Sequence, residues 1–200
     1  MSRFSETEIT PSLLARAVAG DSKAHEGLYL AFSGPVYTLA RRMLGQPAQA
    51  DEVLQDTFVE VLDGIGKFRG DAPLSAWIRK IAVSKCLMHL RSAWYRKGRS
   101  IEGIPGVVEL VLQDQAGPSE ADLTGVAMDL EQALSQLHPV GRAVVWLYDV
   151  EGYTHVEIAE MLGKTVSFSK SQLARSHQRL QAMLKPEQGG LTCMQASNNS

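Results

Sequence analysis

The chain has 200 residues, 44% of them hydrophobic and 21% charged, with a formal net charge of -2. That size holds one or two small domains of ordinary soluble composition. Its longest apolar run, the six residues Ala143 to Tyr148, falls far short of the roughly 20 that a membrane-spanning helix needs.

Reading from the start, Met1-Ser2-Arg3-Phe4-Ser5-Glu6 has no apolar core of secretory length, so no signal peptide is expected. Leu13, Leu14, Ala17 and Val18 suggest a first helical segment. Leu28, Tyr29, Phe32, Val36, Tyr37 and Ala40 suggest a second, with Asp21 or Ser22 as its cap. Ala50, Val53, Leu54, Thr57, Phe58, Val61, Leu62 and Ile65 follow the 3-4 spacing of one buried helix face. Glu52, Asp56, Glu60 and Asp63 fall together on another face of that helix. Leu74, Trp77, Ile78, Ile81, Ala82 and Met88 give a further apolar stripe. Its helix, about 74–96, mixes bases with Trp77, Trp94 and Tyr95, and Phe68 lies just before it. Bases interleaved with aromatics suit single-stranded or distorted nucleic acid, although Trp77 also lies on the apolar stripe and so reads as core. No stretch shows the alternation of a strand. Residues 11–96 therefore read as one helical domain.

Residues 97–122 are rich in breakers, with Gly98, Gly103, Pro105, Gly106, Gly117 and Pro118, and predict a flexible linker. A second helical unit is expected over 123–185, and a disordered Gly-, Gln-, Ser- and Asn-rich tail over 186–200. In the second unit Thr154 and Glu157 stand at capping-box spacing before a short apolar helix. Gly163 follows its last turn, and Thr165 is placed to cap a helix over 166–184. A short helix, a Gly turn and a longer basic helix read as a helix-turn-helix, whose second helix fits a DNA major groove.

Charge is segregated along the chain. Residues 43–66 contain no Lys or Arg, and residues 72–100 contain no acid. Residues 100–141 are acidic without a base, and residues 161–186 are basic without an acid. Two basic blocks separated by an acidic one predict a polyanionic partner. Catalysis is not indicated. His25, His89, His138, His155 and His177 are scattered, and no phosphate-binding Gly loop or nucleophile elbow occurs. The widely separated Cys86 and Cys193 argue against a disulfide scaffold and a zinc site, and fit a reducing cytoplasm. No catalytic residue, metal site or cofactor is expected.

Three motifs in order carry a family resemblance. They are Gln49-Ala50-Asp51-Glu52-Val53-Leu54-Gln55-Asp56-Thr57-Phe58, Phe68-Arg69-Gly70-Asp71-Ala72-Pro73-Leu74-Ser75-Ala76-Trp77-Ile78, and Leu134-Ser135-Gln136-Leu137-His138-Pro139-Val140-Gly141-Arg142 continuing through the helix-turn-helix to Arg175. Together they resemble the extracytoplasmic-function (ECF) group of bacterial sigma factors. The resemblance implies an all-α chain of two small helical domains, a region-two bundle and a region-four helix-turn-helix, joined by the flexible acidic linker. It implies core RNA polymerase and promoter DNA as partners, with an anti-sigma factor as a further partner where one exists, no membrane insertion, and a cytoplasmic, nucleoid-associated protein.

Carried over position by position, the polymerase-docking residues are Asp51, Glu52, Gln55, Asp56 and Glu60. The minus-ten set is Phe68, Arg69, Asp71, Trp77, Lys80, Lys85 and Arg91, with the loop from Phe68 to Pro73 as the pocket for a flipped base. The minus-thirty-five set is Thr165, Ser167, Phe168, Lys170, Ser171, Gln172, Arg175 and Arg179. The recognition helix departs from the family at Ser167-Phe168-Ser169 and at Gln172, so Phe168 either touches DNA or packs locally. The alternatives are a stand-alone helix-turn-helix regulator, which leaves the Asp51 to Phe58 helix unexplained, and a sigma-mimicking adaptor that binds an anti-sigma factor. The two basic modules are expected to be held apart by the acidic tether.

Overall fold

The computed structural model describes Phe4, residues 7–98 and residues 130–184. The predicted linker from residue 99 on, residues 123–129, the tail 186–200 and the side chains of Trp94 and Tyr95 lie outside the described residues. Among the described residues every regular element is helical.

Local chemistry sets the helix ends. Thr10 caps α1 (Pro11–Val18) by accepting from the Leu13 N–H at 3.2 Å. Asp21 does the same for α2 (Ser22–Leu44), accepting from Lys23 N at 2.9 Å and Ala24 N at 3.3 Å. Arg16 lies 2.6 Å from the Asp21 carboxylate, and its hydrogen bond holds that carboxyl below its ordinary pKa. Helix α2 ends at Gly45, whose φ of 80° is left-handed. Helix α3 (Pro47–Gly64) follows, then one 3-10 turn (Ile65–Lys67), a loop, and α4 (Leu74–Gly98), which runs two residues past the predicted end at Arg96.

Helices α2, α3 and α4 pack pairwise into a bundle, with α1 laid on α2. Its centre is built from Leu28, Phe32, Val36 and Met43 of α2, Val53 and Val61 of α3, and Ile78 and Leu87 of α4, each essentially inaccessible to water. Truncating one such side chain, for example Ile78→Ala, costs about 2–5 kcal/mol through lost burial and the cavity left behind. The predicted stripes hold except at their edges. Met88 is 54% exposed, because it lies about two turns from Lys80 on the outer face of α4, and Leu62 is 37% exposed.

The second unit comprises α5 (Leu130–Ser135), α6 (Pro139–Val145) with a π-helical turn over Trp146–Val150, α7 (His155–Leu162) and α8 (Val166–Leu184). Helices α6 and α8 cross closely at Gly141, where a Cβ would stand 2.5 Å from the Ser176 hydroxyl.

One expectation is corrected. The two helical units are not held apart. Helix α6 packs on α2 and α7 on α4, so buried residues of both units form one continuous apolar cluster. The physical reason is apolar burial between the units, with two polar residues, Arg142 and Glu151, buried where they meet.

Candidate nucleic-acid interface

The helix-turn-helix is assembled from local signals. The Thr154 hydroxyl accepts from Glu157 N at 3.3 Å, and the Glu157 carboxylate accepts from Thr154 N at 2.8 Å and from its hydroxyl at 2.7 Å. These bonds hold the Glu157 carboxyl below its ordinary pKa, the backbone one most strongly. Gly163, at φ 65°, turns the chain, with Gly163 N bonded to the Glu160 carbonyl at 3.1 Å and Lys164 N to that of Ala159 at 2.9 Å. Thr165 then caps α8 by accepting from Phe168 N at 3.1 Å. The Ser169 hydroxyl meets His155 Nδ1 at 3.0 Å and ties α7 to α8.

Helix α8 has two distinct faces. Phe168, Ser169, Gln172, Leu173, Ser176 and Leu180 face inward. Thr165, Ser167, Lys170, Ser171 and Arg175 are exposed, and Arg179 is half-buried. Phe168 thus packs locally, with the Lys164 ammonium 5.9 Å from its ring centroid. Gln172 is buried against α6, with its Oε1 3.8 Å from the place a Gly141 Cβ would occupy. Placed by sequence among the base-reading residues, Gln172 instead packs inward, because its helical position aligns with Phe168 and Ser176. The outward face that remains carries hydroxyls and two cations at spacings of one to three turns, which suits phosphate oxygens and base edges.

The first unit presents two further surfaces. In the loop before α4, Phe68 and Trp77 pair their rings at 5.3 Å and 47° and both are half-buried. Arg69 and Asp71 form an exposed pair at 3.1 Å. Lys80 and Arg91 are exposed and eleven residues apart, about three turns, on one face of α4. Lys85 is not on that face. It turns toward α3 and meets Glu60 at 2.7 Å. On α3, Asp51, Glu52, Gln55, Asp56 and Glu60 are all exposed. His89 approaches Glu52 at 3.8 Å, and among the described residues no ion pair engages Asp51 or Asp56. The predicted sites therefore form three separate patches: an acidic one on α3, a basic aromatic one at the start of α4, and a basic hydroxyl-rich one on α8.

Sequence reasoning missed Arg142 and the Arg79–Glu151 pair, which join the two units. The available signal was a lone arginine inside the apolar segment Pro139-Val140-Gly141-Arg142-Ala143-Val144-Val145. Among the described residues no group of His, Cys, Asp or Glu is arranged to hold a metal ion, and no helix is long and apolar enough to cross a membrane.

Two family matches divide the chain where the fold does. Sigma-70 region 2 matches residues 28–96, and Sigma-70, region 4 matches residues 127–180. A bundle of the first kind ahead of a helix-turn-helix of the second is the architecture of a sigma factor. The ECF RNA polymerase sigma factor SigM of Mycobacterium tuberculosis is 33% identical over 172 residues, covering 86% of this chain and 83% of that protein. The RNA polymerase sigma-H factor of Pseudomonas aeruginosa is 25% identical over 181 residues, covering 87% and 93%. The sigma factor RpoE of Bartonella quintana, crystallised with the anti-sigma factor NepR, shares the fold at 20% identity and a TM-score of 0.50, covering 81% of this chain and 97% of that one. On this ground the chain belongs to the ECF family of RNA polymerase sigma factors.

Proposed function

We propose that this ECF sigma factor binds core RNA polymerase through the acidic face of α3 and directs it to promoters through two separate DNA-contacting patches. Asp51, Glu52, Gln55, Asp56 and Glu60 form the docking face. Complementary charge there sets association rate and register. Phe68, Arg69, Asp71 and Trp77, with Lys80 and Arg91 beside them, take the minus-ten element. A flipped base would enter between the loop and the start of α4, where stacking on an aromatic ring offsets part of the cost of leaving the duplex. Thr165, Ser167, Lys170, Ser171, Arg175 and Arg179 take the minus-thirty-five element as duplex in the major groove. The functional units are residues 11–96 and 123–185.

No side chain is asked to do covalent chemistry, so the protein is an initiation factor rather than an enzyme, acting in the cytoplasm at the nucleoid. The Bartonella relative's complex with NepR makes an anti-sigma factor a candidate further partner.

The observation that carries this reading is the exposed face of α8, where Lys170 and Arg175 stand clear of the buried stripe of a helix capped by Thr165. The test is a footprint of the reconstituted holoenzyme on promoter DNA. Two protected tracts, one upstream duplex and one melted, are expected, and Lys170→Ala with Arg175→Ala should erase only the upstream one. Loss of both tracts, or of neither, contradicts the assignment of the patches.

A further inference from the structure

The segment between α6 and α7 departs from regular helix. Trp146–Val150 forms a π-helical turn, closed by Glu151 N bonded to the Trp146 carbonyl five residues back at 3.1 Å. Tyr153 N then reaches the Leu147 carbonyl at 2.9 Å, and Gly152, at φ 76°, lets the chain reverse toward α7. Such turns are rare and occur frequently at functional sites.

Two adjacent residues of this turn each hold a different helix of the helix-turn-helix. The Tyr148 ring stacks on the His155 imidazole at the start of α7, with centroids 4.4 Å apart and planes 19° from parallel. The Asp149 carboxylate accepts from His177 Nε2 of α8 at 2.7 Å. His155 closes the circuit, since its Nδ1 meets the hydroxyl of the fully buried Ser169 of α8 at 3.0 Å. The turn, α7 and α8 are thus tied into a ring by directional contacts.

These contacts supply what the shared core does not. Ile158, Ala159, Leu162 and Leu173 are buried in this unit, and apolar burial has no preferred direction. Ring stacking and hydrogen bonds do have one. The Asp149–His177 pair is well solvated, with side chains 37% and 41% exposed, so it adds little to stability and acts mainly on orientation. His177 lies seven residues, about two turns, beyond Lys170 and so on the same side of α8. The turn therefore grips the recognition helix along the edge of its outward face.

We propose that the π-helical turn is a clasp that fixes the crossing of α7 and α8, so that Tyr148, Asp149, His155 and His177 are positioning residues for reading the upstream duplex. None of them has to touch a base. They hold Lys170, Ser171 and Arg175 in register with the groove, where a small rotation of the helix carries a side chain off its base edge. The recognition half of this inference rests on the function proposed above. The clasp itself does not.

The test is holoenzyme binding to a promoter whose upstream protected tract is intact or scrambled. Tyr148→Ala and His177→Ala should each cut the preference for the intact tract by about three- to thirty-fold. Tyr148→Phe keeps the ring, and His177→Gln keeps a side-chain N–H for Asp149, so both should retain the native preference. The salt slope on the intact promoter should stay native in all four, because Lys170 and Arg175 still neutralise phosphate. An unfolded helix-turn-helix would lower that slope as well. In the free chain, double-mutant cycles of the thermal midpoint should be non-additive for Tyr148→Ala with His155→Ala and for Asp149→Ala with His177→Ala. Additive cycles would overturn the clasp. Native preference in the two alanine variants, failure of both conservative variants, or a lowered salt slope would overturn its part in recognition. A native holoenzyme indifferent to scrambling would overturn the promoter assignment instead, and the free-chain cycles decide the clasp in either case.

Discussion

Lys85 of α4 and Glu60 of α3 meet at 2.7 Å, so a base read from sequence as a DNA contact and an acid read as a polymerase contact engage each other in the fold. Both are partly solvated, and such pairs contribute only about 0–1 kcal/mol. The pairing matters for specificity more than for stability, because it takes charge away from both surfaces. Asp56, about one turn back on α3, carries its charge outward. Asp56→Arg should therefore abolish binding to core polymerase, while Glu60→Ala weakens it far less. Fluorescence anisotropy with labelled chain measures both, and unchanged helical circular dichroism shows that the fold is kept. Equal losses for the two variants would place the docking face elsewhere.

The inward turn of Gln172 separates two effects along α8. Lys170→Ala and Arg175→Ala should each weaken upstream promoter binding and lower the salt slope by about 0.9 for every phosphate no longer neutralised. Gln172→Ala should leave that slope unchanged and instead lower the melting temperature, since its side chain fills space beside Gly141. A salt titration of promoter binding, paired with a thermal melt, distinguishes the two.

Thr57 is fully buried on α3, and its hydroxyl makes no hydrogen bond among the described residues. A buried unsatisfied hydroxyl costs about 1–3 kcal/mol of desolvation. Thr57→Val removes the oxygen at nearly the same shape and should raise unfolding stability by about 1 kcal/mol, read from the urea midpoint. A destabilised variant would show that the hydroxyl has a partner after all.

Two caps give a defined acid response. Asp21 and Glu157 both have carboxyls held below their ordinary values, Asp21 mainly by the Arg16 side chain and Glu157 mainly by the Thr154 N–H. An acid whose folded value is depressed adds stability that is complete above its ordinary value, 4.5 for Glu157 and 3.8 for Asp21, and is lost as pH falls through the lowered one. The chain should lose stability between about pH 5 and pH 3, and Glu157→Gln should lose less over that interval because the glutamine has no charge to neutralise. Urea midpoints at the two pH values check this.

Much of the fold was legible because its signals are local. The Thr154–Glu157 box, the Gly163 turn and the Thr165 cap each lie within a few residues of what they organise, and the structure places all three as the spacing predicts. The buried face of α3 was equally legible, since Ala50, Val53, Thr57, Phe58 and Val61 keep helical period. The inner face of α8 was harder, because Ser169, Gln172 and Ser176 are polar residues on a buried stripe and break the apolar pattern. The union of the two halves left no local trace. Arg142 reaches carbonyls 98 and 99 residues away, and Arg79 reaches Glu151 across 72. No periodicity encodes contacts at such separation, so the expectation of two modules held apart failed there.

Promoter-directed initiation is the activity that all three surface patches serve. Run-off transcription with core polymerase on templates from the source genome, with core alone as control, measures it most directly. A discrete transcript that appears only when this chain is added, and disappears with Asp56→Arg, is the predicted result. Core polymerase giving the same products with and without the chain on every template would contradict it.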